Sequence, residues 1–253
     1  MPVGHGDAHL VAALALIRRA YDDLGIRASR YRLSLPGEGG KYVADPELWR
    51  RATTLLEDVL DGVEAVEGEA AFYGPKIDVQ ITDPAGREST LSTVQIDFHQ
   101  PERFGLHYIG ADGGKHRPVM VHRSVIGSVE RVVAHLVEVH GGAFPMWLAP
   151  VQLVVLLVGE AQEERGLDVV RRALARGVRA ELSGPGDGTL GARVRAARLV
   201  PYHAVIGERE AEAGCAAVRL RDGRRPGAVP VDELLRRIGD RAADRGAELW
   251  AAA

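Results

Sequence analysis

Apolar and polar positions along this chain follow two successive regimes. In the first, Leu10, Leu14, Ile17 and Tyr21 recur at helical spacing and Gly25 follows, so a helix is predicted over 10–24. A strand is predicted near 30–35 and a loop over 36–42. Asp45 and Pro46 open a second helix, reaching about residue 61, with Asp45 as its cap and Pro46 in its first turn. Ile77, Val79 and Ile81 then alternate with Lys76, Asp78 and Gln80, and 83–86 (Asp-Pro-Ala-Gly) has turn chemistry. On the return strand Val94, Ile96 and Phe98 alternate with Thr93, Gln95 and Asp97. One face is apolar and the other polar, and the plain reading is a half-solvated antiparallel sheet. A further strand is predicted over 118–125. Ser128 then caps a helix whose Val129, Val132, Val133, Leu136 and Val137 form a stripe expected to be buried.

Residues 143–150 read as a connection, and beyond them strand and helix patterns alternate. Strands are predicted over 151–158, 178–182, 203–206 and 216–221, and helices over 160–176, 189–199 and 231–245. This is the pattern of an α/β domain of about 100 residues with a mixed sheet. The boundary is set at 147/148, giving domains over 1–147 and 148–253.

Composition bears on this picture only at a few points. The chain has 253 residues, 46% hydrophobic and 26% charged, which fits a globular protein of one or two domains. No apolar run is long enough to span a bilayer, and no secretory leader pattern opens the chain, so a cytoplasmic location and no membrane partner are expected. Cys215 is the single cysteine, which excludes an intramolecular disulfide. The net charge of −3 neither supports nor excludes nucleic acid as a partner, because a local basic face can sit on an acidic protein. Of 32 basic residues only Lys41, Lys76 and Lys115 are lysine, which singles out Lys76 as a position where arginine is a poor substitute. Arg131, in a first helical turn, faces the positive end of the helix dipole, a cost of about 0.3–1 kcal/mol. By itself it reads as a surface arginine paired with a carboxylate. The sharper reading is that it and the helix end hold an anion such as phosphate.

Several ordered blocks change the weight of these readings. They are 71–78 (Ala-Phe-Tyr-Gly-Pro-Lys-Ile-Asp), 92–98 (Ser-Thr-Val-Gln-Ile-Asp-Phe), 101–104, 117–131 with its His122-Arg123-Ser124, 144–150, 200–202 and 218–221. In this order, over roughly residues 10–250, they closely resemble the threonyl-tRNA synthetases, which are class II aminoacyl-tRNA synthetases. Prolyl-tRNA synthetases share the architecture, but the Tyr-Gly-Pro-Lys and His-Arg blocks resemble the threonyl enzymes. The fold class implied is α/β: a class II synthetase-like α+β part built on an antiparallel sheet, then an α/β anticodon-binding-like domain.

The resemblance implies roles. Tyr73 would contact the amino acid, and Gln95 and Ser128 would line the substrate pocket. Lys76 would neutralise charge near the substrate carboxylate and α-phosphate. Arg131 would bind the γ-phosphate of ATP, carried with Mg. His122 matches a ligand of a zinc ion that selects threonine through its amine and hydroxyl, so that valine, lacking the hydroxyl, is rejected. Asp7 and His9 resemble a substrate-binding aspartate and a second zinc histidine, provided the following helix carries a deletion. Read without a gap, His9 lies inside that helix as an exposed histidine. Glu210 and Arg219 match positions that contact anticodon bases of tRNA(Thr).

The sequence departs from the family pattern too. The family's dimer-forming motif, its α-phosphate arginine, its zinc cysteine and its editing domain all belong upstream of the blocks found here. Thr90-Leu91 stand where Gln-Cys is common, and Thr189 stands where a lysine is common. One or two zinc ligands make a weak site, and half of a catalytic sheet leaves an open edge. Three functions are therefore carried forward. The first is threonine activation and ligation to tRNA(Thr), with ATP, threonine and tRNA as partners, a separate polypeptide supplying the rest of the site, or a homodimer. The second is a non-catalytic RNA-binding or regulatory paralogue. The third is an amino-acid- or nucleotide-binding protein of a biosynthetic pathway.

Overall fold

The computed structural model describes residues 3–60, 63–246 and 248–250, with side chains from residue 8 onward in the first helix. It divides into two compact units, Met1–Val139 and His140–Ala253.

The first unit opens with α1 (Val3–Leu24), β1 (Ala28–Leu35), α2 (Pro46–Glu57) and β2 (Glu64–Glu67). It continues through β3 (Lys76–Thr82), β4 (Glu88–Asp97), α3 (His99–Arg103), the short pair β5 (Tyr108–Ile109) and β6 (Lys115–His116), β7 (Met120–Ser124) and α4 (Val129–His140). The main sheet has the order β2-β1-β3-β4-β7, and every pairing is antiparallel except β1 with β2. Leu10, Leu14, Ile17 and Tyr21 are all buried, as their spacing requires. With Ala52 and Leu56 of α2 they belong to the core on the side of Ile77, Val79, Val94 and Ile96. Tyr21 Oη and Ser92 Oγ, 2.8 Å apart, tie α1 to β4. Asp45 caps α2 by accepting the Leu48 N–H at 3.0 Å.

Two expectations are corrected here. The polar sheet face is solvated only in part: Lys76, Thr93 and Gln95 are half-buried, whereas Asp78 and Asp97 are fully buried and Gln80 is 2% exposed. Buried carboxylates persist only when paired, and the pairing is described below. The valine stripe of α4 is only partly covered. Val132 and Leu136 are buried, whereas Val129, Val133 and Val137 are 67%, 48% and 44% exposed.

The second unit contains β8 (Leu153–Leu157), α5 (Glu163–Ala175), β9 (Ala180–Ser183), α6 (Leu190–Ala196), β10 (Tyr202–Ile206), α7 (Glu208–Glu212), β11 (Cys215–Leu220), β12 (Gly227–Pro230) and α8 (Val231–Ala243). Its sheet runs β12-β11-β10-β8-β9, with β8, β9 and β10 parallel and β11 and β12 antiparallel. One face packs against α5 and α8 through Val169, Ala173, Leu234, Leu235 and Ile238. The other packs Val154, Leu156 and Val205 against Leu190 and Val194 of α6. Thr189, where the family resemblance led us to expect a lysine, caps α6 by accepting the Ala192 N–H at 3.3 Å. Arg193 is buried and satisfied by the carbonyls of Gly188, Ser183 and Leu157 at 2.7–2.9 Å.

Tyr202 is fully buried and donates to the Leu249 carbonyl at 2.5 Å. Burial raises its pKa to about 12. Because the folded-state pKa lies above the unfolded one, this stabilisation is complete below pH 10 and is lost as the pH rises towards 12. The loss approaches about 3 kcal/mol once the pH has risen through 12. Urea unfolding of the chain between pH 9 and 12 should show that decline, and Tyr202→Phe should remove this part of it. An unchanged slope in the variant would mean that other groups cause the decline.

Candidate active-site floor and arginine cavity

The polar face of the first sheet is built by register. Lys76 pairs with Ser34 of β1 on one side and Gln95 of β4 on the other, Asp78 pairs with Arg32 and Thr93, and Gln95 pairs with His122 of β7. The strand period of two puts these side chains on one face. Lys76 Nζ donates to Asp78 Oδ2 at 2.5 Å, Ser34 Oγ donates to the same oxygen at 2.7 Å, and an Arg32 Nη atom lies 3.6 Å away. Asp78 Oδ1 and Arg32 Nε are buried with no hydrogen-bond partner among the described residues. Two cations facing one carboxylate leave this part of the floor positive, the sign that suits a carboxylate or phosphate.

The other half of the floor is held by Asp97. Its Oδ1 accepts the Gln100 N–H at 2.8 Å, and its Oδ2 lies 2.8 Å from His122 Nε2. With Asp97 ionised that contact calls for a proton on His122 Nε2, so Nδ1 is the ring nitrogen that Asp97 does not engage. Tyr73 donates from Oη to Gln95 Oε1, and its ring centroid is 5.1 Å from that of His122. Burial raises the Tyr73 pKa, and the charge of Asp97 adds to the rise, so Tyr73 stays a neutral donor. Gly74 makes this approach possible. A Cβ there would lie 2.3 Å from the Ile96 carbonyl oxygen on β4. Gly74→Ala should therefore push the Tyr73 segment off the sheet and cost about 1–3 kcal/mol in urea unfolding. Wild-type stability would mean that the segment does not pack closely on β4.

Tyr73, Lys76, Gln95 and His122 thus come together. Ser128 and Arg131 do not join them directly. Ser128 is exposed and its Oγ accepts the Arg131 N–H at 3.3 Å. Gly127 makes this turn with φ +65°, and a Cβ there would meet the Leu91 carbonyl oxygen at 2.7 Å. Arg131 is exposed and lines an open cavity of about 560 Å³ with Thr90, Asp83, Arg87 and Glu138. Thr90 in turn accepts from Gln80 Nε2 at 2.8 Å, which links the rim of this cavity to the floor. His9 is exposed on α1. The side chain of Asp7 lies outside the described residues.

Zinc does not fit what is present. His122 could offer Nδ1, with Asp97 as the orienting partner on the other nitrogen. Among the described residues, however, no group of three or more His, Cys, Asp or Glu could hold a metal ion. A closed zinc site needs about four ligands, so no step is derived through zinc.

In the second unit, an open cavity of about 260 Å³ is lined by Arg195, Arg198, His203, Arg219, Arg221 and Arg225, among others. Arg221 is tied to the Phe144 carbonyl at 2.5 Å. The side chains of Arg195, Arg198, Arg219 and Arg225 make no hydrogen bond or ion pair among the described residues. Glu210 does not line this cavity, and its Oε2 accepts the Gly207 N–H at 3.0 Å. Sequence reading found Arg219 but missed its arginine neighbours. Arg195 and Arg198, at i and i+3 near the end of a predicted helix, were the available signal.

Comparison with known proteins accounts for both units. Residues 9–140 match the tRNA synthetase class II core domain (G, H, P, S and T), and residues 152–241 match an anticodon binding domain. The chain is 41% identical over 236 residues to threonine–tRNA ligase 1 of Bacillus subtilis (strain 168), covering 90% of this chain and 36% of that protein. It is 43% identical over 240 residues to the threonine–tRNA ligase of Rubrobacter xylanophilus, covering 92% of this chain and 38% of the relative. A crystal structure of the RNA binding domain of threonyl-tRNA synthetase from Cryptosporidium parvum Iowa II superposes with a TM-score of 0.85 at 30% identity, covering 98% of this chain and 62% of that one. The chain spans a little over a third of the length of the curated relatives it matches. It belongs to the class II tRNA synthetase family, with a threonyl-tRNA synthetase-like core domain followed by an anticodon-binding domain.

Proposed function

We propose that this chain takes part in the ATP-dependent activation of threonine and its ligation to tRNA(Thr), together with the part of the catalytic core that its relatives carry beyond its span. The observation that carries this reading is the continuous floor of Tyr73, Lys76, Gln95 and His122. In the activation step the threonine carboxylate attacks the α-phosphorus of ATP and pyrophosphate leaves. Negative charge develops on the α-phosphoryl oxygens, where Lys76 presents a compact positive charge. Magnesium, arriving with the nucleotide, would neutralise part of the phosphate charge. Tyr73 and Gln95 would orient the amino acid, Ser128 would close its pocket, and Arg131 at the start of α4 would hold the γ-phosphate. Asp7 as a substrate ligand and His9 as a zinc ligand rest on sequence resemblance alone. Glu210 and Arg219 would meet the anticodon. The functional boundary is set at 147/148, and a cytoplasmic location is part of this reading. No helix among the described residues is long and apolar enough to cross a membrane.

The partner reading is a further polypeptide segment, or a second copy in a homodimer. It is supported by β7, an edge strand, and by the uncovered valines of α4 that follow it. The exposure of Arg131, away from the floor, favours as a second reading a paralogue that binds RNA without catalysis. Threonine-dependent ATP–pyrophosphate exchange separates the two. It should appear when the chain is combined with the remaining catalytic part of a threonyl relative, and should vanish with Arg131→Ala. No exchange in that mixture, with tRNA still bound, would sink the catalytic reading.

A further inference from the structure

We propose that Asp78 is a positioning residue that holds the Lys76 ammonium at a fixed point of the floor. The purpose assigned to it rests on the reading of Lys76 as the group that meets substrate charge. Asp78 is fully buried, yet its Oδ2 collects Lys76 Nζ at 2.5 Å, Ser34 Oγ at 2.7 Å and an Arg32 Nη atom at 3.6 Å. A lysine on its four-carbon stem samples many rotamers, and a point charge stabilises developing charge only where it is held. One contact to Asp78 leaves the ammonium two further donors for a ligand. Arg32 supplies the second positive charge, so anchoring Lys76 does not cancel it. The neighbours of Lys76 across the sheet, Ser34 and Gln95, are neutral, so Asp78 is the carboxylate in direct contact with it.

Because the chain has three lysines, the anchoring can be read directly. In the full chain labelled with ¹⁵N-lysine, Lys76 is expected to give a slowly exchanging ammonium cross-peak, assigned by its loss in Lys76→Ala. Lys41 and Lys115 are exposed, so their ammonium protons are expected to exchange fast. Asp78→Asn should abolish the Lys76 signal, and Asp78→Glu should restore it at a shifted position. Titration with Mg-ATP, after the chain is combined with the remaining catalytic part of a threonyl relative, then tests the purpose. Asp78→Asn should weaken binding at least tenfold when Lys76 is present and less than twofold in the Lys76→Ala background. A cross-peak that survives Asp78→Asn overturns the proposal, as does equal weakening in both backgrounds. Should Asp78→Asn fail to fold, Asp78→Glu carries the test: a displaced cross-peak with binding weakened only when Lys76 is present supports it, and wild-type values overturn it. Loss of the cross-peak while no variant, nor the wild type, binds Mg-ATP upholds the positioning and overturns the nucleotide reading.

Discussion

Lys76→Ala is expected to lower threonine-dependent ATP–pyrophosphate exchange by about 10²–10³-fold in the completed enzyme, the usual cost of removing one preorganised group from a developing negative charge. The expectation follows from where the ammonium sits. It is held by a buried carboxylate on the central strand of the sheet, beside Gln95, which accepts from Tyr73. Removing it should not unfold the unit. Asp78 would keep Ser34 as a donor and Arg32 as a nearby cation, so it is not left as the bare buried charge that makes such deletions destructive. A melting curve on the same sample separates the two effects. Lys76→Arg should recover little, because the planar guanidinium is bulkier and points its donors as a fork into a gap closed at 2.5 Å by Asp78. Exchange unchanged in Lys76→Ala would remove Lys76 from the reaction.

The period-two alternation of residues 76–81 and 93–98 made the faces of the floor legible, because a strand admits no other arrangement of its side chains. What it left open was why a charged face could be buried. The answer lies in cross-strand partners: Ser34 and Arg32 from β1 around Asp78, and His122 from β7 against Asp97. Those pairings depend on strand order, and alternation along one strand is silent about order. The same limit explains α4. Periodicity correctly put Val129, Val133 and Val137 on one side of the helix, but a shared side is not a covered side. The short strands β2, β5, β6 and β12 passed unseen, since two to four residues are too few for any pattern to establish itself. The arginine cavity of the second unit escaped for a related reason. Its residues come from α6 and the turn after it, β10, β11 and the turn after β11, separate stretches of sequence that only the fold brings together.

Replacing Arg195, Arg198, Arg219 and Arg225 together by glutamine should cut the affinity for a tRNA(Thr) anticodon stem-loop about 10²–10³-fold near 0.1 M salt. It should also flatten the dependence of log K on log salt by roughly 3, about 0.7 for each phosphate that is no longer neutralised. The protein is acidic overall, at −3, so attraction for RNA must come from a local field. Four guanidinium groups with no hydrogen bond or ion pair among the described residues surround one cavity and would supply it. His203 adds no charge there at neutral pH, because burial lowers its pKa. The single variants divide the work. Arg195, Arg198 and Arg225 are exposed, and each should weaken every sequence alike, as phosphate-binding cations do. Arg219, half-buried on β11, should instead blunt the preference for the cognate anticodon if it reads a base edge. Glu210→Ala should open the first turn of α7 by freeing the Gly207 N–H, whereas Glu210→Gln keeps an acceptor for it and leaves that turn closed. Fluorescence anisotropy from 50 to 200 mM salt would measure the arginine variants. A slope that does not change in the quadruple variant would move the RNA-binding face elsewhere on the molecule.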